Sequence, residues 1–395
     1  QELIQPRTLL LAALLHDAGK AYPDRPHSEV GAEVCAAVCA RLGWSEEDAS
    51  MVEFLTRNHL LMAETSRLRD LSLEETIREF VAVVDDVEKL NRLYLLTYAD
   101  TRAVGEGVWT QVNGRFLRDL WRRASALLTE EEAPDYDDAT MLRTRRRLLR
   151  ELSLENIPEA EVSEHVLAMP PDYLLNQSLQ EMVLHIGYVR RVREGAPVID
   201  FRDERDATYS EITVVAFDDP TPGLLAKITG ALYACDLNVH SAQVLTRTTE
   251  RDRIALDTLW VDYRGRQLSP GKRREVAGAI DSLLTGAQNV TELLAARKKR
   301  AAGGEDLRVR SVTNDLSETL TVVEVVGTDT GGALYRCCAA ISSLGWDIRS
   351  ARVSSWQGEV RDSFYIVGAR GMQESDVSNA LKLALEEVPV HAANK

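Results

Sequence analysis

Apolar residues recur three and four positions apart through the first third of the chain. They do so in LLLAALLHDAGK (9–20), SEVGAEVCAAVCARLG (28–43), ASMVEFLTRNHLLM (49–62) and LNRLYLLTYADTR (90–102), and each stretch predicts an amphipathic helix. Breaks fall at Gly19, Pro23, Pro26, Gly43, Gly105 and Gly107, so residues 1–128 read as one almost wholly helical domain. The acidic, proline-bearing TEEEAPDYDDA (129–139) reads as a linker. A basic helix, MLRTRRRLLRELS, then a Pro-Pro break and a further helix complete a helical connector over 129–207.

From Ser210 the period changes. EITVVAF (211–217), LNVHSAQVLT (237–246) and LDTLWVDY (256–263) read as strands, with amphipathic helices at PGLLAKITGALYAC (222–235) and KRREVAGAIDSLL (272–284). Strand, helix, strand, strand, helix opens a ferredoxin-like βαββαβ unit. The unit then repeats: TVVEVV (321–326) matches TVVAF (213–217), GALYRCCAAISSLGWDIRSARVSS matches GLLAKITGALYACDLNVHSAQVLT, and RDSFYI (361–366) matches LDTLWV. The fold class predicted is α+β multidomain, a helical bundle followed by two ferredoxin-like units at 208–298 and 306–395.

Composition narrows the function. A chain that is 45% apolar and 28% charged is that of a soluble globular protein, and a net charge of -15 opposes nucleic-acid binding as its main business. The longest apolar run, Leu9 to Leu15, is far short of the ~20 residues a membrane span needs. The chain has no basic, apolar leader, and its five cysteines form no C-x-x-C pair; both fit a reducing cytoplasm, with Cys35 and Cys39 packed as small apolar groups. It opens directly on a helix without an initiator Met, which reads as part of something longer.

Polar residues occupy apolar positions at three places. LLLAALL reads as the buried rail of a helix, and His16 continues it, four residues after Ala12 and seven after Leu9. His59 stands in the same relation to Leu55 and Val52, and Asp100 to Leu96 and Leu93. An ionised carboxylate costs several kcal/mol to bury unless a cation or donors meet it. Convergence on a divalent metal accounts for all three at once, with Asp17 adding a ligand and His27, just before the next helix, another. Such a metal polarises a phosphoester and lowers the pKa of a water. Gly19 reads as a flexible joint that lets the Lys20 ammonium meet phosphate charge.

These residues resemble the HD superfamily of metal-dependent phosphohydrolases. More narrowly, LLLAALLHDAGK, HSEVGAEV, FLTRNHLLMAETSRLRDLS, LYLLTYADTRAVGEGVW and MPPDYLLNQSLQEMVLH resemble the bifunctional PII uridylyltransferase/uridylyl-removing enzymes of bacterial nitrogen control. The duplicated units resemble that family's paired ACT domains. The resemblance implies His16, Asp17, His59 and Asp100 as ligands of Mg2+ or Mn2+, His27 as ligand of a second ion, and Asp17 and Lys20 as catalytic residues. It implies hydrolysis of a nucleotidyl-tyrosine phosphodiester on the PII signalling protein, releasing UMP, with glutamine as allosteric effector. The family's transferase activity needs Gly-Ser followed by paired aspartates; the D-x-D at Asp135 and Asp137 lacks the Gly-Ser, so transferase chemistry is not expected of this chain. A further metal-binding His, expected well upstream of His16, is likewise not among residues 1–395.

For the effector, Thr221 caps a helix that begins with Pro222, and Gly223 lets backbone amides approach a carboxylate closely. Asp219, Leu224 and Asn238 are grouped with Gly223 as effector residues. In the second repeat Gly332 keeps the glycine and Asp347 replaces Asn238, so the copies are expected to bind unequally. ACT units pair sheet edge to edge, which places the effector between copies or between associated subunits. Two rivals stand beside this reading: an HD phosphohydrolase of small nucleotides under other amino-acid control, and a non-enzymatic amino-acid sensor with a relic bundle.

Overall fold

In the computed structural model residues 6–388 are described, apart from 23, 69–70, 72–73, 104–110, 130–137, 153–156, 171–172, 175–176, 204–207, 219–222, 298–305, 316–319, 329–330, 357–358 and 370. The D-x-D motif, Asp219, Thr221 and Pro222 lie outside the described residues. The chain divides into two compact units, Gln1–Asp135 and Tyr136–Lys395.

The first unit is helical throughout its described length. It comprises α1 (Pro6–Leu15), a 3-10 turn (Ala18–Ala21), α2 (His27–Leu42), α3 (Glu46–Arg57), α4 (Leu61–Leu68), α5 (Glu74–Val84), α6 (Val87–Ala103) and α7 (Gln111–Leu128). Local chemistry sets the boundaries. Gly43, at φ 67°, ends α2 in the left-handed conformation, and Ser45 Oγ accepts the Asp48 N–H at 3.2 Å to start α3. The stripes of α3 (Val52, Leu55) and α6 (Leu90, Leu93, Leu96) meet in a core completed by Leu120 and Ala124 of α7. One expectation is corrected here: α1 is no uniformly buried rail. Only Thr8 and Ala12 are buried in it, while Leu10 and Leu14 are 67% and 78% exposed. A run of seven apolar residues covers the whole helix circumference, and the bundle covers only part of it.

The second unit is a layered α/β body. Helices α8 (Asp138–Leu152), α9 (Glu159–Ala168) and α10 (Leu179–Arg193) come first. The first repeat follows, as β1 (Val198–Asp203), β2 (Ser210–Phe217), α11 (Leu224–Ala234), β3 (Asn238–Thr248), β4 (Arg253–Asp262), α12 (Pro270–Leu284) and α13 (Val290–Ala296). The second repeat is β5 (Arg308–Asp315), β6 (Leu320–Thr328), α14 (Ala333–Ser343), β7 (Asp347–Trp356), β8 (Glu359–Val367) and α15 (Glu374–Glu387). All strands join one antiparallel sheet in the order β1-β2-β4-β3-β7-β8-β6-β5. The repeats meet at its middle, where Ser241, Ala242 and Gln243 pair with Ser354, Val353 and Arg352.

The ferredoxin-like layout holds, with one change of chain order. A βαββαβ unit closes its sheet with a strand that follows the second helix. Here β1 and β5 precede β2 and β6 and pair antiparallel with them, so each repeat runs ββαββα. The edge strand β1 therefore lies ahead of residue 208, inside the stretch read as helical connector. One face of the sheet packs on α11, α12, α14 and α15 through Ile228, Ile280, Ile341 and Leu381. The other face, at Val215, Leu245 and Leu256, packs on α8, α9 and α10 through Leu148, Val166 and Met182.

Candidate metal centre and effector cavity

Three helix ends and one helix face bring the predicted site residues together in the first unit. His16 lies one residue past α1, yet its amide still donates to the Ala12 carbonyl at 2.8 Å, so its side chain keeps the helical phase. His59 lies just past α3, His27 is the first residue of α2, and Asp100 sits in the last turn of α6. His27 Nε2 and His59 Nε2 are 3.3 Å apart, and each is 3.9 Å from Asp17 Oδ1. His16 Nε2 lies 3.5 Å from Asp17 Oδ2 and 3.3 Å from Asp100 Oδ1. Lys20 stands at the rim, 62% exposed, with Nζ donating to Asp17 Oδ2 at 2.7 Å.

The tautomers suit this cluster to a metal ion. His16 Nδ1 donates to the Ala13 carbonyl at 2.9 Å and His59 Nδ1 to the Thr56 carbonyl at 2.7 Å. Each neutral ring then presents a bare Nε2 lone pair to the site, the arrangement in which histidines bind metals. The lone pair of His16 faces two carboxylates, and that of His59 faces a second imidazole nitrogen. Such contacts are favourable only if a proton or a cation sits among them. Asp17, His27 and His59 offer donor atoms within 4.8 Å of one another. Ligands about 2.1 Å from one ion lie roughly 3 to 4 Å apart, so a divalent cation fits.

Electrostatics split the histidines. The hydrogen bond to Asp100 raises the His16 pKa above its ordinary value against the cost of burial, and the same bond lowers that of Asp100. Burial lowers the pKa of His59, whose side chain is 1% exposed, so it stays neutral and able to bind metal near pH 7.

Gly19 has a different reason from flexibility. A Cβ there would lie 1.9 Å from the His27 carbonyl oxygen and 2.8 Å from Gly31 N. The glycine lets the 3-10 turn press against the start of α2, which carries Asp17 up to His27. Gly31 serves the same contact, since a Cβ there would lie 3.3 Å from the His16 carbonyl oxygen, and nothing in the hydrophobic pattern marks it. A close approach depends on the partner helix, so a sequence shows the glycine and hides the cause.

In the second unit the expected effector residues separate. Gly223 and Leu224 at the start of α11, and Asp347 at the start of β7, line a cavity between the repeats with Asp218, Asp257 and Ser342. Its volume is about 20 Å³, room for roughly one water. Arg253 bonds both Asp218 and Asp347, the latter at 3.0 Å. Asp257 is 1% exposed; burial raises its pKa far above the usual carboxylate range, and its Oδ1 has no partner among the described residues. Asn238 and Gly332 lie apart from this cavity. Asn238 Nδ2 donates to Asp262 at 3.3 Å, and Gly332 precedes α14 at φ 91°.

Residues 2–94 match the HD domain family. The chain is 34% identical over 379 residues to a bifunctional uridylyltransferase/uridylyl-removing enzyme of Rhodopseudomonas palustris, covering 92% of this chain and 39% of that protein. It is 34% identical over 390 residues to the corresponding enzyme of Bradyrhizobium diazoefficiens, covering 96% and 41%. The chain thus spans about two fifths of the length of the curated relatives it matches. Among solved structures, aspartate kinase from Synechocystis matches at 14% identity and TM-score 0.26, over 46% of this chain and 27% of that one, too slight a likeness to carry an argument.

Proposed function

We propose that this chain, a homologue of the C-terminal part of the bifunctional uridylyltransferase/uridylyl-removing enzymes with an HD domain at residues 2–94, is a metal-dependent phosphodiesterase. Its substrate on this reading is the nucleotidyl-tyrosine bond of a PII signalling protein, its product UMP, and its effector glutamine. The observation that carries the reading is the cluster of the Nε2 atoms of His16, His27 and His59 around Asp17 and Asp100.

A divalent cation, Mg2+ or Mn2+, would be held by His16, Asp17, His59 and Asp100, with His27 for a second ion, and would polarise the phosphoester and acidify a water. The chain's own groups do the rest. The Ala13 and Thr56 carbonyls hold two imidazoles in the tautomer that keeps their Nε2 atoms bare. Lys20, at the solvent edge and bonded to Asp17, meets the negative charge of an incoming phosphodiester while holding that carboxylate in place. A rim cation beside an open face suits a bond carried on another protein's surface. In the second unit, the amides at the start of α11 suit the carboxylate of an amino acid, and Asp257, ionised once a cation meets it, suits its ammonium. The cavity has too little room for one as it stands. Entry therefore parts the repeats locally, with the Arg253 link to Asp218 and Asp347 as the contact that yields.

The test is UMP release from uridylylated PII by purified protein with Mg2+ or Mn2+, with and without glutamine and with free nucleotides assayed in parallel. Release stimulated by glutamine is expected, and His59→Ala should lower it by about 10²-fold or more, beyond the 10- to 100-fold cost of losing an outer-shell partner. Turnover of free nucleotides alone would replace the substrate. Absence of bound metal, with His59→Ala altering only stability, would leave an amino-acid sensor.

A further inference from the structure

Laid over one another with Gly223 on Gly332, the repeats run in step to Thr246 and Ser355. In that register Gln243 corresponds to Arg352, and these two residues face each other across the β3–β7 seam. A pseudo-twofold axis therefore passes through this pair. Each feature at the seam has a counterpart across it.

The cavity at the start of α11 is one of two such places. It is bounded by Ala226, one turn into α11, and by Ser342, at the end of α14. Ser342 Oγ lies 3.0 Å from where a Cβ on Gly223 would stand. The counterpart lies at the start of α14 and faces the end of α11. There the register places Tyr335 where Ala226 stands, and Tyr233 where Ser342 stands. The two rings stack, with centroids 6.2 Å apart and planes 11° from parallel. Tyr233 Cε2 approaches the Cβ position of Gly331 to 3.8 Å, and Tyr335 Cε2 that of Gly230 to 3.2 Å. Two small side chains border a cavity on one side of the axis, and two aromatic rings occupy the matching space on the other.

We infer that Tyr233 and Tyr335 form a plug, so that a receptor with two pseudo-equivalent amino-acid pockets keeps only the one at the start of α11 available to a ligand. The inference rests on reading that cavity as the effector site. Each side carries a buried aspartate, Asp257 or its counterpart Asp362, both 1% exposed; Asp257 lines the cavity at the start of α11 and has an Oδ1 without a partner among the described residues. Stacked rings are a durable filler, since aromatic pairs gain from their mutual geometry as well as from burial.

The experiment is calorimetric titration of the full chain with L-glutamine, for the wild type, for Ser342→Tyr, and for Tyr233→Ser combined with Tyr335→Ala. Thermal melts check that each variant folds, and Tyr335→Ala alone replaces the double variant if that one does not. One bound glutamine is expected for the wild type, none for Ser342→Tyr, and two for the unplugged protein. A folded, unplugged protein that still binds one overturns the plug. If the wild type binds no glutamine, the effector reading fails, and the crystal structure of the unplugged protein decides. An open cavity beside Gly332 upholds the plug, and helices collapsed into that space overturn it.

Discussion

Gly19→Ala perturbs the candidate metal centre without altering any of the residues proposed as ligands. The added Cβ would start 1.9 Å from the His27 carbonyl oxygen, a backbone atom with no rotamer to yield. Reaching even 3.0 Å, below which real Cβ contacts essentially never fall, requires the 3-10 turn and the start of α2 to separate by about 1 Å. Overpacking of this kind costs about 1–3 kcal/mol, which lowers the melting temperature of a unit this size by roughly 4–12 °C. The same displacement moves His16 and Asp17 away from His27, and a misplacement of about 1 Å costs on the order of 10²-fold in rate. Differential scanning calorimetry and Mn2+ titration read the two effects separately, and UMP release reads their sum. A Gly19→Ala protein that melts within a degree of wild type and binds Mn2+ equally well would refute the close-approach argument.

Two further outcomes follow from buried polar groups. In chelator-treated protein, His16, with its pKa raised above 6.5, contributes stability that is full below pH 6.5 and lost as pH rises through the raised value. Asp100, lowered from 3.8, contributes stability that is full above pH 3.8 and lost as pH falls through the lowered value. Buried His59 acts oppositely to His16, so the difference between wild type and Asp100→Asn isolates the pair; in melts from pH 5 to 9 that difference should shrink above pH 6.5, and a constant difference would refute it. Tyr173→Phe removes a hydroxyl that His165 Nε2 and His185 Nδ1 share at 2.8 and 3.0 Å in a buried site. Urea unfolding of the second unit should register a loss of about 1–3 kcal/mol, and an unchanged midpoint would show that the relay adds nothing.

Much of this was legible in the chain because helical phase and repetition are local signals. His16, His59 and Asp100 each continue a stripe whose earlier members, Ala12, Leu55 and Leu96, are buried. The repeats announce themselves because TVVAF and TVVEVV fill equivalent central strands. The edge strand β1 was hidden because only Val198 in it is buried, so alternation is faint at the sheet margin. Leu10 and Leu14 misled because hydrophobicity tells which residues prefer burial, and only the neighbours tell which obtain it. Tyr233 and Tyr335 look like ordinary helix residues until the pseudo-twofold axis pairs them with Ser342 and Ala226.

The seam between β3 and β7 has a quantitative meaning of its own. Sheet edges that pair between separate chains obey mass action, and any signal read at such a junction varies with the amount of protein present. Here the two partners are covalently joined, which gives each a fixed local concentration of the other. A cavity formed at that junction keeps one affinity whether the cell holds few copies of the chain or many. On the proposed reading of that cavity as an effector site, duplication turns the response into a function of the small molecule alone.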